Sequence, residues 1–216
     1  LGGSVRCVKE TDVKSLRDAT GAGMMDAKKA LTEADGDFDK AVDLLRVAGQ
    51  AKAAKRSDRE AANGLVVGAG NALVQIGSET DFVAKNADFV ATADKIAKAV
   101  DAAKADSKDA AAQVQLDDGK TVAQTLEDLA GTIGEKIELA DAAYFEGNTH
   151  IYLHRRSQDL PPQVGVMVEY TGEDTEAVHG VCLQIAAMNP RWVNRDEVPA
   201  DVFDHERTVA ADMARE

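Results

Sequence analysis

The spacing of apolar residues predicts three short helices within the first fifty residues. Each helix has one apolar face and ends at glycine or at a glycine-containing turn, where a left-handed backbone is tolerated. The apolar faces consist, in chain order, of Val13 and Leu16; of Met24, Ala27, Leu31 and Ala34; and of Phe38, Ala41, Val42, Leu45 and Ala48. Helices of this length favour a small bundle of the ubiquitin-associated type over residues 1–50, with a core barely large enough to stand alone.

A charged segment over residues 51–63 follows the predicted bundle. Its run Ser57-Asp58-Arg59-Glu60 matches a capping box, which typically opens a helix. We therefore predict a linker helix between the bundle and the rest of the chain.

The pattern changes to short apolar runs from residue 64 onward. Residues 64–67 and 72–76 flank a glycine-rich turn and predict a β-hairpin. Two helices follow, one capped by Asn86 and one stopped by Gly134. Their apolar faces are Phe89, Ala93, Ile96, Ala97 and Val100 in the first, and Val122, Thr125, Leu126, Leu129 and Ile133 in the second.

A second group of strands is predicted over residues 136–144, 149–154 and 164–170. One helix then ends at Asn189-Pro190, and a last helix begins near Pro199. Strands followed by helices, twice over, favour an α+β class with two subdomains, each an antiparallel sheet backed by helices. We place the core N-subdomain at residues 64–134 and the core C-subdomain with the terminal helix at residues 135–216.

Composition excludes several kinds of function. The 216 residues carry a net charge of −13, which disfavours direct binding to nucleic acid. The short basic clusters, at Lys52, Lys55 and Arg56 and at Arg155-Arg156, are flanked by acids and are interpreted as solvated faces or protein contacts. No apolar run is long enough to cross a membrane. Cys7 and Cys182 are far apart and lack CxxC partners, so neither a disulfide framework nor a zinc site is predicted.

Motifs for chemistry are also missing from the sequence. The glycine-rich stretches match neither phosphate-binding pattern, and no nucleophile stands in a recognised motif. His150 and His154 are four residues apart on a predicted strand, which is not a chelating geometry for a metal ion. We therefore predict no catalytic residue, no metal and no cofactor, and no enzyme activity.

The run Thr80-Asp81-Phe82-Val83 is the most informative feature. It places an aromatic ring beside a carboxylate in the connection between a strand and a helix. Phe82 is either an exposed interface anchor or a buried residue that staples the start of the helix, and the local sequence alone favours burial. The helical stripe places Met24 in the core and leaves Met25 available to a partner.

Two segments of the chain, residues 16–31 and residues 79–86, together resemble the bacterial translation elongation factor Ts family. Similarity to the family's second subdomain continues at residues 133–136, 153–156 and 164–166, so the resemblance covers nearly the whole chain. It implies a ubiquitin-associated-like bundle joined to a two-part α+β core. The implied activity is guanine-nucleotide exchange on the GTPase elongation factor Tu, in the bacterial cytoplasm.

The resemblance also implies which residues contact the partner. The family inserts the Asp-Phe pair beside the nucleotide site of the GTPase and displaces the elements that hold magnesium and phosphate. In the family, the N-terminal bundle also contacts the nucleotide-binding domain of the GTPase. A histidine of the core contacts a more distant domain of the partner. The residues that match these positions are Thr80, Asp81, Phe82, Val83, Arg17, Met24, Met25 and His154.

The sequence departs from the family pattern in three places. Gln75, Gly77 and Ser78 precede the Asp-Phe motif, and Ala140 and Asp141 replace a basic pair in the second subdomain. The family usually continues into a C-terminal module, so we expect either a truncated chain or a shortened member. An alternative function is a helix-binding adaptor without exchange activity. A homodimer is left open.

Overall fold

The computed structural model of the protein describes residues 9–54, 56 and 58–215, except for the side chains of residues 50 and 52–54. It combines helices with antiparallel sheets, which confirms the α+β class. The helices are α1 Glu10–Thr20, α2 Met24–Glu33, α3 Phe38–Ala54, α4 Asp81–Ala84, α5 Ala87–Ala103, α6 Lys108–Gln113, α7 Val122–Ile133, α8 Thr175–Met188 and α9 Ala200–Met213. The strands are β1 Asn63–Ala69, β2 Ala72–Ser78, β3 Ile137–Tyr144, β4 Thr149–His154 and β5 Val164–Glu169.

Helices α1, α2 and α3 pack around a small core of their own, as predicted. Gly21 ends α1 in the left-handed conformation (φ 68°) and donates its N–H to the carbonyl of Arg17 at 2.7 Å. The buried side chains are Val13, Leu16, Ala27, Ala30, Leu31, Ala34 and Ala41. Most of these residues are small, which lets the three helices approach closely.

Helix α3 continues beyond its predicted end at Gly49 as far as Ala54. Gly49 lies against Gly131 of α7, where an added Cβ on Gly131 would be 3.1 Å from the Cα of Gly49. The glycine therefore serves a close helix crossing and does not end the helix. This crossing joins the bundle to the core, and the hydroxyl of Thr132 also reaches the carbonyl of Thr20 at 3.5 Å.

The linker helix predicted over residues 51–63 is not observed as such. Its first residues belong to α3, residues 58–62 form a turn and an irregular stretch, and Asn63 begins β1. Lys55 and Ser57 lie outside the described residues, as does the side chain of Lys52, so the capping box is not described.

The first sheet has the order β1-β2-β3, with both pairs antiparallel. The predicted hairpin is confirmed, since Ala69 pairs with Ala72 across a turn in which Gly70 has positive φ. Helix α5 covers one face of the sheet with its predicted stripe, and Asn86 caps it by accepting from the N–H groups of Asp88 and Phe89. Helix α7 opens with a capping box at Thr121 and Gln124.

The grouping of strands differs from the expected division at residue 134. Strand β3 was expected in the second subdomain, but it pairs with β2 and completes the first sheet. Strands β4 and β5 form a separate pair on the other face of that sheet. Gly165 makes this approach possible, because a Cβ there would lie 2.5 Å from Cγ1 of Val66.

Helix α8 packs on the outer face of the β4–β5 pair through its one buried residue, Cys182. Burial raises the pKa of the Cys182 thiol above its ordinary value. Cys7 lies outside the described residues. Within residues 9–215, as far as they are described, none of the helices combines the length and the apolar character needed to cross a membrane.

Candidate partner-binding surface

Phe82 projects from a short helical turn into solvent. Strand β2 ends at Ser78, Thr80 is extended, and α4 then occupies residues Asp81–Ala84. Val83 and Ala84 are buried in the main core, whereas 79% of Phe82 is exposed. Because α4 is a single helical turn, Val83 and Ala84 can face the core only if Phe82, the residue before them, points outward. The burial of Phe82 favoured by the local sequence is therefore wrong.

The dipeptide Asp-Phe occurs three times in the chain, and its surroundings distinguish the three copies. Phe89 is 1% exposed in the core beneath α5, and Phe38 at the start of α3 is 38% exposed. Only Phe82 presents most of its ring to solvent. Its neighbour Asp81 is half-buried, and its side chain makes no hydrogen bond or ion pair with any residue that the structure describes. The acid and the ring are thus both available to a partner.

Glu135, which follows α7, holds the approach to this turn. Its two carboxylate oxygens accept from Thr80, one from the backbone N–H at 3.0 Å and one from the hydroxyl at 2.8 Å. The hydroxyl of Ser78, itself fully buried, donates to the carbonyl of Thr80 at 2.8 Å. We call the two Glu135 bonds to Thr80 the Thr80 clamp. The clamp fixes Thr80, the residue that immediately precedes α4, and it therefore orients Asp81 and Phe82 at the start of that helix.

Glu79 makes a second connection between the same two segments. It accepts from the backbone N–H of Lys136 at 2.6 Å and from the Arg59 guanidinium at 2.8 Å. The Arg59 hydrogen bond, followed by the Lys136 hydrogen bond, holds the pKa of the Glu79 carboxyl below its ordinary value. Glu79 therefore stays ionised under conditions in which a solvated carboxyl begins to protonate.

The residues predicted on the bundle are all at its surface. Arg17 on α1 is exposed and forms an ion pair with Asp18 at 2.9 Å. Met25 is 76% exposed, as expected, but Met24 is 44% exposed and not part of the core. Met24 is the first residue of α2, and the buried face of that helix begins one turn later at Ala27. The two methionines together give the bundle an adaptable apolar edge.

His154 lies exposed at the end of β4, and its Nδ1 is 3.0 Å from the hydroxyl of Tyr152. The predicted residues therefore divide among three parts of the fold: the bundle, the end of β2, and the β4–β5 pair. Thr80, Asp81, Phe82 and Val83 are contiguous in sequence, as are Met24 and Met25, and the other predicted residues stand apart. A partner that touched all three parts would need a wide contact area.

Sequence reasoning missed the residues that position the motif. The patterns that include Glu79, Glu135 and Arg59 do not mark them as support for the motif, because their contacts join residues 20 to 57 positions apart. Glu135 could have been singled out from the sequence, because it directly follows the predicted helix end at Gly134 and lies in the segment 133–136 that resembles the family. Among the described residues, no group of three or more His, Cys, Asp or Glu side chains is arranged to hold a metal ion.

Comparison with known proteins assigns the chain to a family. The family model described as "Elongation factor TS" matches residues 79–216, which begins at the Thr80 clamp and includes everything after it. The chain belongs to the elongation factor Ts family. Elongation factor Ts of Cutibacterium acnes is 75% identical over 209 residues, which are 97% of this chain and 77% of that protein.

More distant elongation factor Ts sequences match over the same length. That of Mycolicibacterium vanbaalenii is 55% identical over 204 residues, covering 94% of this chain and 75% of the relative. That of a Nocardioides species is 53% identical over 210 residues, covering 97% and 77%. The chain thus spans about three quarters of these relatives. Membership in the elongation factor Ts family supports nucleotide exchange on elongation factor Tu and does not favour the adaptor alternative.

Proposed function

We propose that this chain promotes GDP release from elongation factor Tu by placing Asp81 and Phe82 beside the magnesium and phosphate site of that GTPase. The observation that carries the proposal is the exposure of Phe82 on a turn whose other apolar residues are buried. An aromatic ring presented outside its own core is suited to enter a pocket of a partner. The Thr80 clamp restrains the backbone just before Phe82, so less backbone entropy is lost when the ring enters such a pocket.

The mechanism requires no bond to be made or broken by this chain, so we infer that it is not an enzyme in the chemical sense. Magnesium bridges phosphate oxygens and protein ligands, and a displaced ligand weakens nucleotide binding. Linkage requires that bound nucleotide weaken the binding of the exchange factor by the same factor. Asp81 and Phe82 act by occupying space and by placing a negative charge beside the magnesium and phosphate site.

Magnitudes show that the motif cannot act alone. A ten-thousandfold acceleration corresponds to about 5.5 kcal/mol, whereas burial of one Phe contributes about 1.5–3 kcal/mol. The remainder must come from a wider contact. We assign it to Arg17, Met24 and Met25 on a ubiquitin-associated-like bundle and to His154 on the β4–β5 pair. Their exposure on these two parts of the fold, apart from the motif, supports this assignment.

The family also supports a bacterial cytoplasmic location and a protein partner, and we propose no direct role for nucleic acid or membrane. The net charge of −13 agrees with this, since it opposes association with phosphate backbones and anionic lipid surfaces.

The test is release of a fluorescent GDP analogue from purified elongation factor Tu. We expect strong acceleration by the wild-type chain and loss of acceleration by the double variant Asp81→Ala/Phe82→Ala, with its melting curve unchanged. Phe203→Ala/Asp204→Ala is the matched control, because it removes the same two residue types from the surface of α9. Equal loss in both double variants, or full activity without Asp81 and Phe82, would contradict the proposed site.

A further inference from the structure

The structure brings together two histidines that the sequence keeps 29 residues apart. His150 lies on β4 and His179 on α8, and Nε2 of the first is 3.2 Å from Nδ1 of the second. The rings are nearly perpendicular, at 83°, with centroids 5.4 Å apart. Sequence reasoning compared His150 with His154, which lies further along the same strand, and so missed this pair.

The position of each ring is supported by its own element. His179 lies one helical turn before Cys182, which is fully buried against the strands, so His179 is on the side of α8 that faces β4. Tyr152 is two residues after His150 and therefore on the same face of β4. Its ring meets the His179 ring edge-on at 5.4 Å, which restricts rotation of the imidazole.

We propose that His150 and His179 form a two-histidine chelating site for a divalent first-row transition ion such as Zn²⁺ or Ni²⁺. For an ion about 2.05 Å from each of two nitrogens that are 3.2 Å apart, the nitrogen–ion–nitrogen angle is about 103°, which is near the tetrahedral value. In the structure these two nitrogens share a hydrogen bond, so the ring that donates must change tautomer, and the ion then takes the place of that proton. Binding fixes the tautomers, with the proton on Nδ1 of His150 and on Nε2 of His179.

The chemistry of the donors defines the class of ion. Imidazole nitrogen suits zinc, nickel and copper, whereas magnesium and calcium prefer oxygen ligands. Within the described residues no third His, Cys, Asp or Glu joins the pair in a metal-holding group, so water completes the coordination. The site is accordingly open and exchangeable, in contrast to the closed four-ligand sites that fold a domain.

An ion bound here would connect α8 directly to β4. Among the described residues Cys182 is the one buried side chain that α8 contributes, so the helix has few other attachments of comparable strength. Because the ion binds only where both rings are in place, it stabilises the folded arrangement of this layer by mass action. Neutral imidazole is required, so binding weakens as the solution becomes acidic.

The test uses the full chain without a histidine tag, titrated separately with Zn²⁺, Ni²⁺ and Mg²⁺ by isothermal calorimetry. We expect one saturable site for Zn²⁺ and Ni²⁺ and none for Mg²⁺. Either His150→Ala or His179→Ala should abolish it. His205→Ala is the matched control, since His205 is exposed on a different helix, α9, and this variant should bind the ion as the wild type does.

A second readout separates chelation from nonspecific binding to an acidic protein. The melting temperature should rise with Zn²⁺ in the wild type and in His205→Ala, return on addition of EDTA, and stay constant in His179→Gln, which keeps a polar side chain at this position. Three outcomes would each overturn the proposal. They are saturable binding that survives the loss of His150 or His179, ion binding by His205→Ala that is weakened as much as in the other variants, and the absence of a saturable site in the wild type.

Discussion

Replacement of Phe82 by alanine should leave the fold almost as stable as before. About a fifth of Phe82 is buried, and complete burial of a Phe is worth about 1.5–3 kcal/mol, so the loss should be about 0.3–0.6 kcal/mol. Phe89 offers the opposite case in the same chain, since it is 1% exposed within the core. Phe89→Ala should cost about 3–5 kcal/mol, including the cavity it leaves.

Urea unfolding followed by circular dichroism measures both values, and thermal melting gives an independent check. In a chain of this size each kcal/mol shifts the midpoint by about 2–4 °C, so Phe82→Ala should move it by no more than about 2 °C. GDP release from elongation factor Tu is then measured with the same Phe82→Ala sample, which should accelerate release less than the wild type does. A stability loss above about 2 kcal/mol for Phe82→Ala would refute the reasoning, because it would make Phe82 a core residue in solution.

Three further changes test the support around the motif and the attachment of the bundle. Glu135→Ala removes the acceptors of the Thr80 clamp, so GDP release should slow and amide exchange over residues 80–84 should quicken. Glu135→Gln keeps one acceptor oxygen and should be intermediate in both measurements. Unchanged GDP release with Glu135→Ala would contradict the clamp's role. Glu79 has a lowered pKa because of its bond from Arg59, so its stabilisation is present above the ordinary carboxyl value of 4.5 and is lost as pH falls through the folded-state pKa. The stability difference between wild type and Glu79→Gln, measured by urea titration from pH 7 to pH 3, should therefore shrink in acid, and a constant difference would count against it. Gly131→Ala would place a methyl group 3.1 Å from the Cα of Gly49, so the helices must separate at a cost of about 1–3 kcal/mol; an unchanged urea midpoint would show that the crossing is looser than described.

Local patterns allowed much of the fold to be predicted. The stripe of α5 and its cap at Asn86 were correct because a 3.6-residue period and a side-chain cap are properties of neighbouring residues. The hairpin of β1 and β2 was correct for the same reason, since a glycine-rich turn sets its own register. The motif at Asp81 and Phe82 was predicted to be a partner-binding site through its resemblance to a family, and it stays a prediction.

The errors arose where distant residues decide the outcome. Gly49 looked like a helix end because its partner, Gly131, is far away in sequence. Strand β3 was assigned to the wrong sheet, because strand pairing depends on which edge is free and not on order along the chain. The exposure of Phe82 depended on the burial of Val83 and Ala84, and the His150–His179 pair depended on how α8 sits on β4; neither is encoded locally.

The crossing of α3 and α7 at paired glycines has a consequence for how a partner is engaged. Two binding surfaces joined by a flexible linker contact a partner one after the other. The second contact then depends on the effective concentration that the linker provides. Here the backbones of α3 and α7 touch, so the methionines of the bundle and the ring of Phe82 are presented at a set spacing. Under the proposed function, this fixed spacing selects the partner: a GTPase whose two pockets lie at another distance would make only one of the two contacts.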